Sequence, residues 1–214
     1  MKKAYKTLAA AAMLCLLLLC GCGADFDPAA YVKGGLDVLY LGEVSEEYLE
    51  LVVDTREECL AMYEENVLNE AENFGETFFV GVNDEPDEAL RDFFRAVVAK
   101  SSYEVGEVTE TETGYNVAVK VSPIDIFTVS YEALEEHDRD FTRRFADGEF
   151  EELSGGEIEK LYLQGMIDIL SSALDNCGYL DSVTVSLRLE KDEGGVFTVN
   201  SEDYAEFHSH IIAY

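Results

Sequence analysis

Apolar positions return every three or four residues through the first half of this chain, then every second residue in two later stretches. Asp27-Pro28 reads as an N-cap followed by proline at the first helical position, and Gly42 is the matching stop. A first helix with Tyr31, Leu36, Leu39 and Tyr40 inward is predicted, although Gly34-Gly35 weakens its middle. Ser45, with Glu46 and Glu47 in the first turn, opens a short second helix. Asp54 and Glu57 have capping-box spacing at the start of a long third. There Leu60, Tyr63, Val67, Ala71, Phe74 and Phe78 form one face. After a break at 83–86, a fourth helix places Leu90, Phe93, Val97 and Val98 on its buried side.

The period then drops to two. Segments 103–110 and 115–121 flank Thr113-Gly114 and predict a hairpin that Pro123 ends. Residues 130–147, closed by Gly148, predict a helix with Leu134, Phe141 and Phe145 inward. Ser154 and Glu157 form a capping box for the next helix, which runs through Leu161, Ile167, Leu170 and Leu174 to Gly178. Val183, Val185, Leu187 and Leu189 alternate with Thr184, Ser186, Arg188 and Glu190, and 196–199 returns as the partner strand. Ser201 is the expected cap of a last helix through Tyr204, Phe207 and Ile211. Hairpins separated by helices, without single strands alternating with single helices, argue against a parallel sheet. The predicted fold is α+β: two β-hairpins joined in one antiparallel sheet, with several helices packed on its apolar face. Residues 27–214 are expected to form a single such domain.

The N-terminus follows a different rule. Lys2, Lys3 and Lys6 precede an apolar run over 8–19, shorter than the ~18–20 residues that span a bilayer. Leu19-Cys20-Gly21-Cys22 then has the form of a bacterial lipobox. A lipoprotein signal peptidase needs a small residue before the modified cysteine. Gly21 supplies it for Cys22, whereas Leu19 would not for Cys20. Residues 1–21 are therefore expected to be a lipoprotein signal peptide, cut between Gly21 and Cys22, with 22–26 a lipidated tether. Two or three acyl chains such as palmitate on Cys22 would hold the protein on the extracytoplasmic face of the cell membrane. The tether reaches only ~15 Å at ~3.3 Å per residue, so the folded body is expected close to the bilayer.

Charge narrows the choice of partners. The chain has 15 basic and 45 acidic residues, a formal net charge of −30; removing 1–21, with three lysines and no acid, makes it −33. Phosphate backbones and anionic headgroups repel such a surface, so no nucleic acid is expected and membrane attachment rests on the lipid. The acids are spread along the whole chain, which favours solubility as their role over a cation site. With 48% hydrophobic residues the chain can still bury a core.

The stretch Phe26-Asp27-Pro28-Ala29-Ala30-Tyr31-Val32-Lys33-Gly34-Gly35-Leu36-Asp37, followed by Tyr40-x-Gly42 and placed directly after a lipobox, resembles a group of uncharacterised chains of anaerobic Gram-positive bacteria assigned as lipoproteins. Tyr103 to Glu107 and the Val-Thr-Val of the closing hairpin are similar to the same group. The resemblance implies a lipid-anchored surface protein and supplies no site beyond Cys22.

The mature chain has no Gly-x-Ser-x-Gly, His-Glu-x-x-His, Ser-x-x-Lys, P-loop or Cys-x-x-Cys motif. His208 and His210 would diverge by roughly 200° on a helix, so both are expected to be solvent-exposed, with no metal between them. His137, among Glu135, Glu136, Asp138 and Asp140, reads as part of a solvated acidic face. The acidic turns at 83–88 and 192–194 lack EF-hand order. Cys59 and Cys177 could pair outside the cytoplasm, but both read as small apolar residues in helices. No cofactor and no catalytic residue is expected. The expected role is a non-catalytic module that binds an extracytoplasmic ligand or protein, with the concave or polar sheet face as its surface. A structural or accessory component of an envelope complex is the alternative, and an enzyme with an unrecognised site is a third reading.

Overall fold

The computed structural model describes residues 26–78, 88–191 and 195–214. Asp27 accepts hydrogen bonds from the N–H groups of Ala29 (2.9 Å) and Ala30 (3.0 Å), so helix α1 (Pro28–Leu36) starts where its cap predicts. It widens into a π-helical turn, Asp37–Leu41, which Gly42 ends at φ 65°. The glycine pair does not break α1. A Cβ on Gly34 would lie 2.3 Å from the ring of Tyr48, so the missing side chain lets α2 (Glu46–Leu51) pack closely. Ser45 caps α2, its Oγ accepting from the Tyr48 N–H at 3.0 Å.

Helix α3 (Arg56–Phe78) is capped one residue later than expected. Glu58 Oε2 accepts from the Thr55 N–H (2.8 Å) and Thr55 Oγ1 from the Glu58 N–H (3.3 Å), which leaves Asp54 outside the box. The buried face is Cys59, Asn66, Val67, Glu70, Ala71 and Phe74, whereas Leu60 is 41% exposed. Helix α4 (Glu88–Val98) buries Leu90, Phe93, Phe94, Val97 and Val98.

Strands β1 (Ser102–Glu110) and β2 (Gly114–Ser122) form the first hairpin, its turn closed by the Thr111 N–H to Gly114 carbonyl bond (2.9 Å). Val105 pairs with Val119 and Val108 with Val117, so β1 holds one extra residue, a bulge at Gly106-Glu107. The bulge keeps Tyr103, Val105 and Val108 all against the core. Two helices follow, α5 (Ile126–Ala146) and α6 (Gly155–Ala173), and then β3 (Val183–Lys191), β4 (Phe197–Val199) and α7 (Ser201–His208).

All strands are antiparallel in the order β1-β2-β3-β4. Val117 opposes Leu187 and Val119 opposes Val185, giving the apolar face on which α1 and α7 sit. This is the predicted α+β architecture. Several boundaries differ from expectation. Helix α5 begins at Ile126, four residues early, and α6 ends at Ala173. The cap of α7 is Asn200, whose Oδ1 accepts from the N–H groups of Glu202 (3.1 Å) and Asp203 (3.3 Å), so Ser201 is the first helical residue.

The helical pair α5–α6 forms an arm. Its root is pinned at the far end of β2: Leu180 N–H bonds the Pro123 carbonyl (2.9 Å), and Ile124 N–H bonds the Ile211 carbonyl (2.9 Å). Beyond the root, α5 packs mainly on α6 through a small cluster of its own. Phe141 lies against Phe150 (centroids 4.8 Å) and Tyr162 (5.1 Å), with the Arg144 guanidinium 5.0 Å from the Phe150 ring. Phe145, expected inward, is 59% exposed, and Leu161 is 42% exposed, because a two-helix layer has only one inner side.

Gly34→Ala should destabilise the protein by about 1–3 kcal/mol, the usual range for overpacking. Gly156, in the first turn of α6, has open space for at least 4 Å around the place a methyl group would take. It should gain up to ~1 kcal/mol as alanine. The urea midpoints of the two variants, compared with the parent, check both signs.

Candidate functional site

The most concentrated polar chemistry of the described residues lies inside the domain, where α3 meets α7 and the π turn. Asn66 and Glu70, each 3% exposed, point inward from α3. Asn66 Nδ2 donates to the Leu39 carbonyl (2.9 Å) and so fixes the π turn on α3. Glu70 Oε1 faces His208 Nε2 at 3.3 Å, and the Tyr214 hydroxyl donates to Glu70 Oε2 at 3.5 Å. On the other side of the imidazole, Nδ1 lies 2.8 Å from the Tyr40 hydroxyl, which donates to Tyr204 at 3.2 Å.

A protonated imidazole facing a Glu70 carboxylate satisfies these contacts, as does a neutral imidazole facing a protonated Glu70; in both, the pair is neutral overall. Burial raises the Glu70 carboxyl above the ordinary range, with His208 and Tyr214 opposing in part. Burial also raises the phenols of Tyr40, Tyr204 and Tyr214, which therefore keep their protons; Tyr40 and Tyr214 act as donors and Tyr204 accepts from Tyr40. Tyr40 is fully buried and Tyr204 is 6% exposed, so neither hydroxyl is open to a substrate. The node is a fastening between three stretches that lie far apart in sequence: the π turn, α3 and residues 204–214.

This corrects two readings of the histidines. His208 is not a solvated side chain: it is 20% exposed and bonded on both ring nitrogens. His137 is not part of a solvated acidic face. Its ring stacks on Tyr162 (centroids 5.1 Å), its Nε2 lies 3.0 Å from the Tyr162 carbonyl, and a Cβ on Gly165 would come within 2.2 Å of it. Asn66 and Glu70 were missed because apolar spacing alone was read. Their positions, three residues after Tyr63 and Val67, already put them on the inner face of α3.

The remaining candidates are dispersed. Gly21 and Cys22 lie outside the described residues, as do 83–87 and 192–194. Glu88 opens α4 and pairs with Arg95 (2.9 Å). Among the described residues no group of three or more His, Cys, Asp or Glu is placed to hold a metal ion. Cys59 and Cys177 are unpaired, and Cys177 lies past the end of α6, outside the helix expected for it. Burial raises both thiols. The outer sheet face is polar, as expected, with Thr184, Ser186, Arg188 and Glu190 exposed. Arg188 is held there by a two-toothed pair with Asp203 (2.7 and 2.8 Å).

The exposed apolar side chains are concentrated elsewhere. Five of eleven such large residues among those described lie on the arm: Val129, Tyr131, Phe145, Leu153 and Leu161. Three more, Tyr179, Leu180 and Val183, lie on the segment returning from it. Leu153 and Leu161 share a shallow concavity at the arm's tip with Phe150 and Arg144.

No protein-family model and no curated protein matches the chain. A crystal structure of a putative lipoprotein, YcdA of Bacillus subtilis subsp. subtilis str. 168, superposes with a TM-score of 0.62 at 15% identity. The likeness is one of fold. It takes in 99% of this chain and 61% of the other, so this chain spans about three fifths of that protein's length. No helix of the described residues is long and apolar enough to cross a membrane.

The buried node makes stability depend on pH. Folded Glu70 holds its proton more tightly than it would in the unfolded chain. Its burial is therefore harmless below the ordinary carboxylate range and destabilises progressively as pH rises through the raised value. Glu70→Gln should melt higher than the parent at pH 8. That gain should disappear by about pH 4–5, and paired thermal melts across pH 4–8 read it.

Proposed function

We propose that this chain is a lipid-anchored extracytoplasmic protein, attached through Cys22, that works as a non-catalytic module binding a partner protein. The observation that carries the binding role is the arm. Its distal half stands clear of the main core and holds exposed Phe145, Leu153 and Leu161. Clustered apolar side chains on an otherwise strongly acidic surface mark interaction sites more often than they serve stability. The Leu-x-Gly-Cys sequence supports the anchor, and the fold likeness to a putative lipoprotein is in keeping with it. A non-catalytic role is supported by the burial of Tyr40 and Glu70 and by the missing hydrolase motifs.

The acids around the arm's tip, Asp147, Glu149, Glu151 and Glu152, favour a partner with an apolar residue set among basic ones. On this reading the protein is a component of an envelope assembly, and the acyl chains serve to keep it near the other members.

Cys22→Ala should move the protein from the membrane to the soluble fraction and leave it unprocessed; retention in the membrane would remove the anchor from the reading. In intact cells, a photo-crosslinking residue at Phe145 should give discrete adducts. The same residue at Ser186 on the outer sheet face should give few. The reverse pattern would transfer the binding role to the sheet.

A further inference from the structure

We infer that the domain stands on the membrane in one orientation, with the β1–β2 turn toward the lipid headgroups and the root of the arm at the far end. This rests on the proposed lipid at Cys22 and adds which surface meets the bilayer. The decisive residue is Phe26. It stacks on Phe197 (centroids 4.5 Å, planes 9° apart) and lies against Tyr31 (5.7 Å) and Tyr115 (5.9 Å). Immediately after it, Asp27 is fixed by its capping bonds to Ala29 and Ala30. The chain is thus fastened to the body from its first described residue.

The place of fastening sets the orientation. Tyr115 is the second residue of β2 and Phe197 the first of β4, so Phe26 sits at the end of the sheet that carries the turns. Four peptide steps separate it from Cys22, at most ~14 Å of extended chain. The paired length of β2 and β3, from Gly114 opposite Glu190 to Val121 opposite Val183, is about 24 Å at ~3.4 Å per residue. The tether is shorter than the sheet, so the turn end cannot be lifted away to let the domain stand inverted on its opposite end while the Phe26 contacts hold, and the inference is that it stands upright on the turn end. That opposite end carries Ile124, the pinned root of the arm, and the C-terminal segment.

The membrane-facing end is built to rest on headgroups and not to enter them. Among the described residues there, Glu110, Glu112 and Glu190 are exposed against a single cation, Lys191, whose Nζ lies 4.9 Å from the Phe197 ring. Acidic side chains at this level disfavour both insertion and adhesion to anionic lipid.

The experiment uses the full chain, expressed and lipidated in a Gram-positive host and reconstituted into phosphatidylcholine vesicles that contain lipid with a nitroxide on its headgroup. A fluorophore is placed at Thr113→Cys or at Asp181→Cys, both exposed, in a Cys177→Ser background. Mass spectrometry of the N-terminal peptide reports the lipid separately. With lipid present, quenching at 113 is expected to exceed that at 181 several-fold, and Phe26→Ala is expected to erase most of the difference without altering lipidation. Equal quenching at the two positions, or stronger quenching at 181, in a lipidated chain overturns the orientation while leaving the anchor intact. A chain without lipid overturns the anchor, and the orientation falls with it.

Discussion

The pairing of β2 with β3 is the contact on which the rest of this structure depends. It joins strands separated by some sixty residues, and its inner side chains, Val117, Val119, Val121, Val185, Leu187 and Leu189, form the floor that α1 and α7 cover. Closing so long a connection costs chain entropy, which grows with the logarithm of its length. The arm offsets much of this. Two helices that pack on each other return the chain to where it left, and the bonds from Leu180 N–H to Pro123 and from Asp125 N–H to Gly178 hold exit and return together. The connection thus behaves as a short one, and the Ile124 backbone receives the C-terminal segment on its other side.

The fold class and nearly every element were legible from apolar spacing, because the strands alternate strictly and most caps are strong. The errors have a common physical origin. Caps moved by one residue where two candidates adjoin, Asp54 with Thr55 and Asn200 with Ser201, since either side chain can accept the orphan N–H groups. Phe145 reads as inward because spacing cannot tell a helix with neighbours on several sides from one with a single neighbour. The proposed anchor rests on a motif alone, and the contacts of Phe26 that follow it came from the structure alone. Nothing in residues 26–31 declares that Phe26 finds Phe197.

The buried node was the least legible part, and it illustrates what sequence cannot rank. Glu70 and His208 are 138 positions apart, so no local pattern joins them. A buried acid–imidazole contact adds little net stability compared with apolar residues of the same shape. Its effect here is to define position. A slip of α7 by one turn would leave Glu70 in the core without Nε2, and Tyr40 without Nδ1. The tyrosines on either side extend that demand to the π turn and to the C-terminal residue.

If the chain is lipid-anchored as proposed, the bulge in β1 has a consequence for a protein confined to a surface. Strand β1 is an edge, and an edge nine residues long is an open template for another chain. Molecules confined to one leaflet meet far more often than the same number in free solution, and with a shared upright posture their edges would meet in parallel. The extra residue at Gly106-Glu107 interrupts the ladder such a neighbour would need, and Glu104, Glu107 and Glu110 oppose its approach. A crowded population would then repel its own kind side by side while leaving each arm free, so that density on the surface does not become self-association.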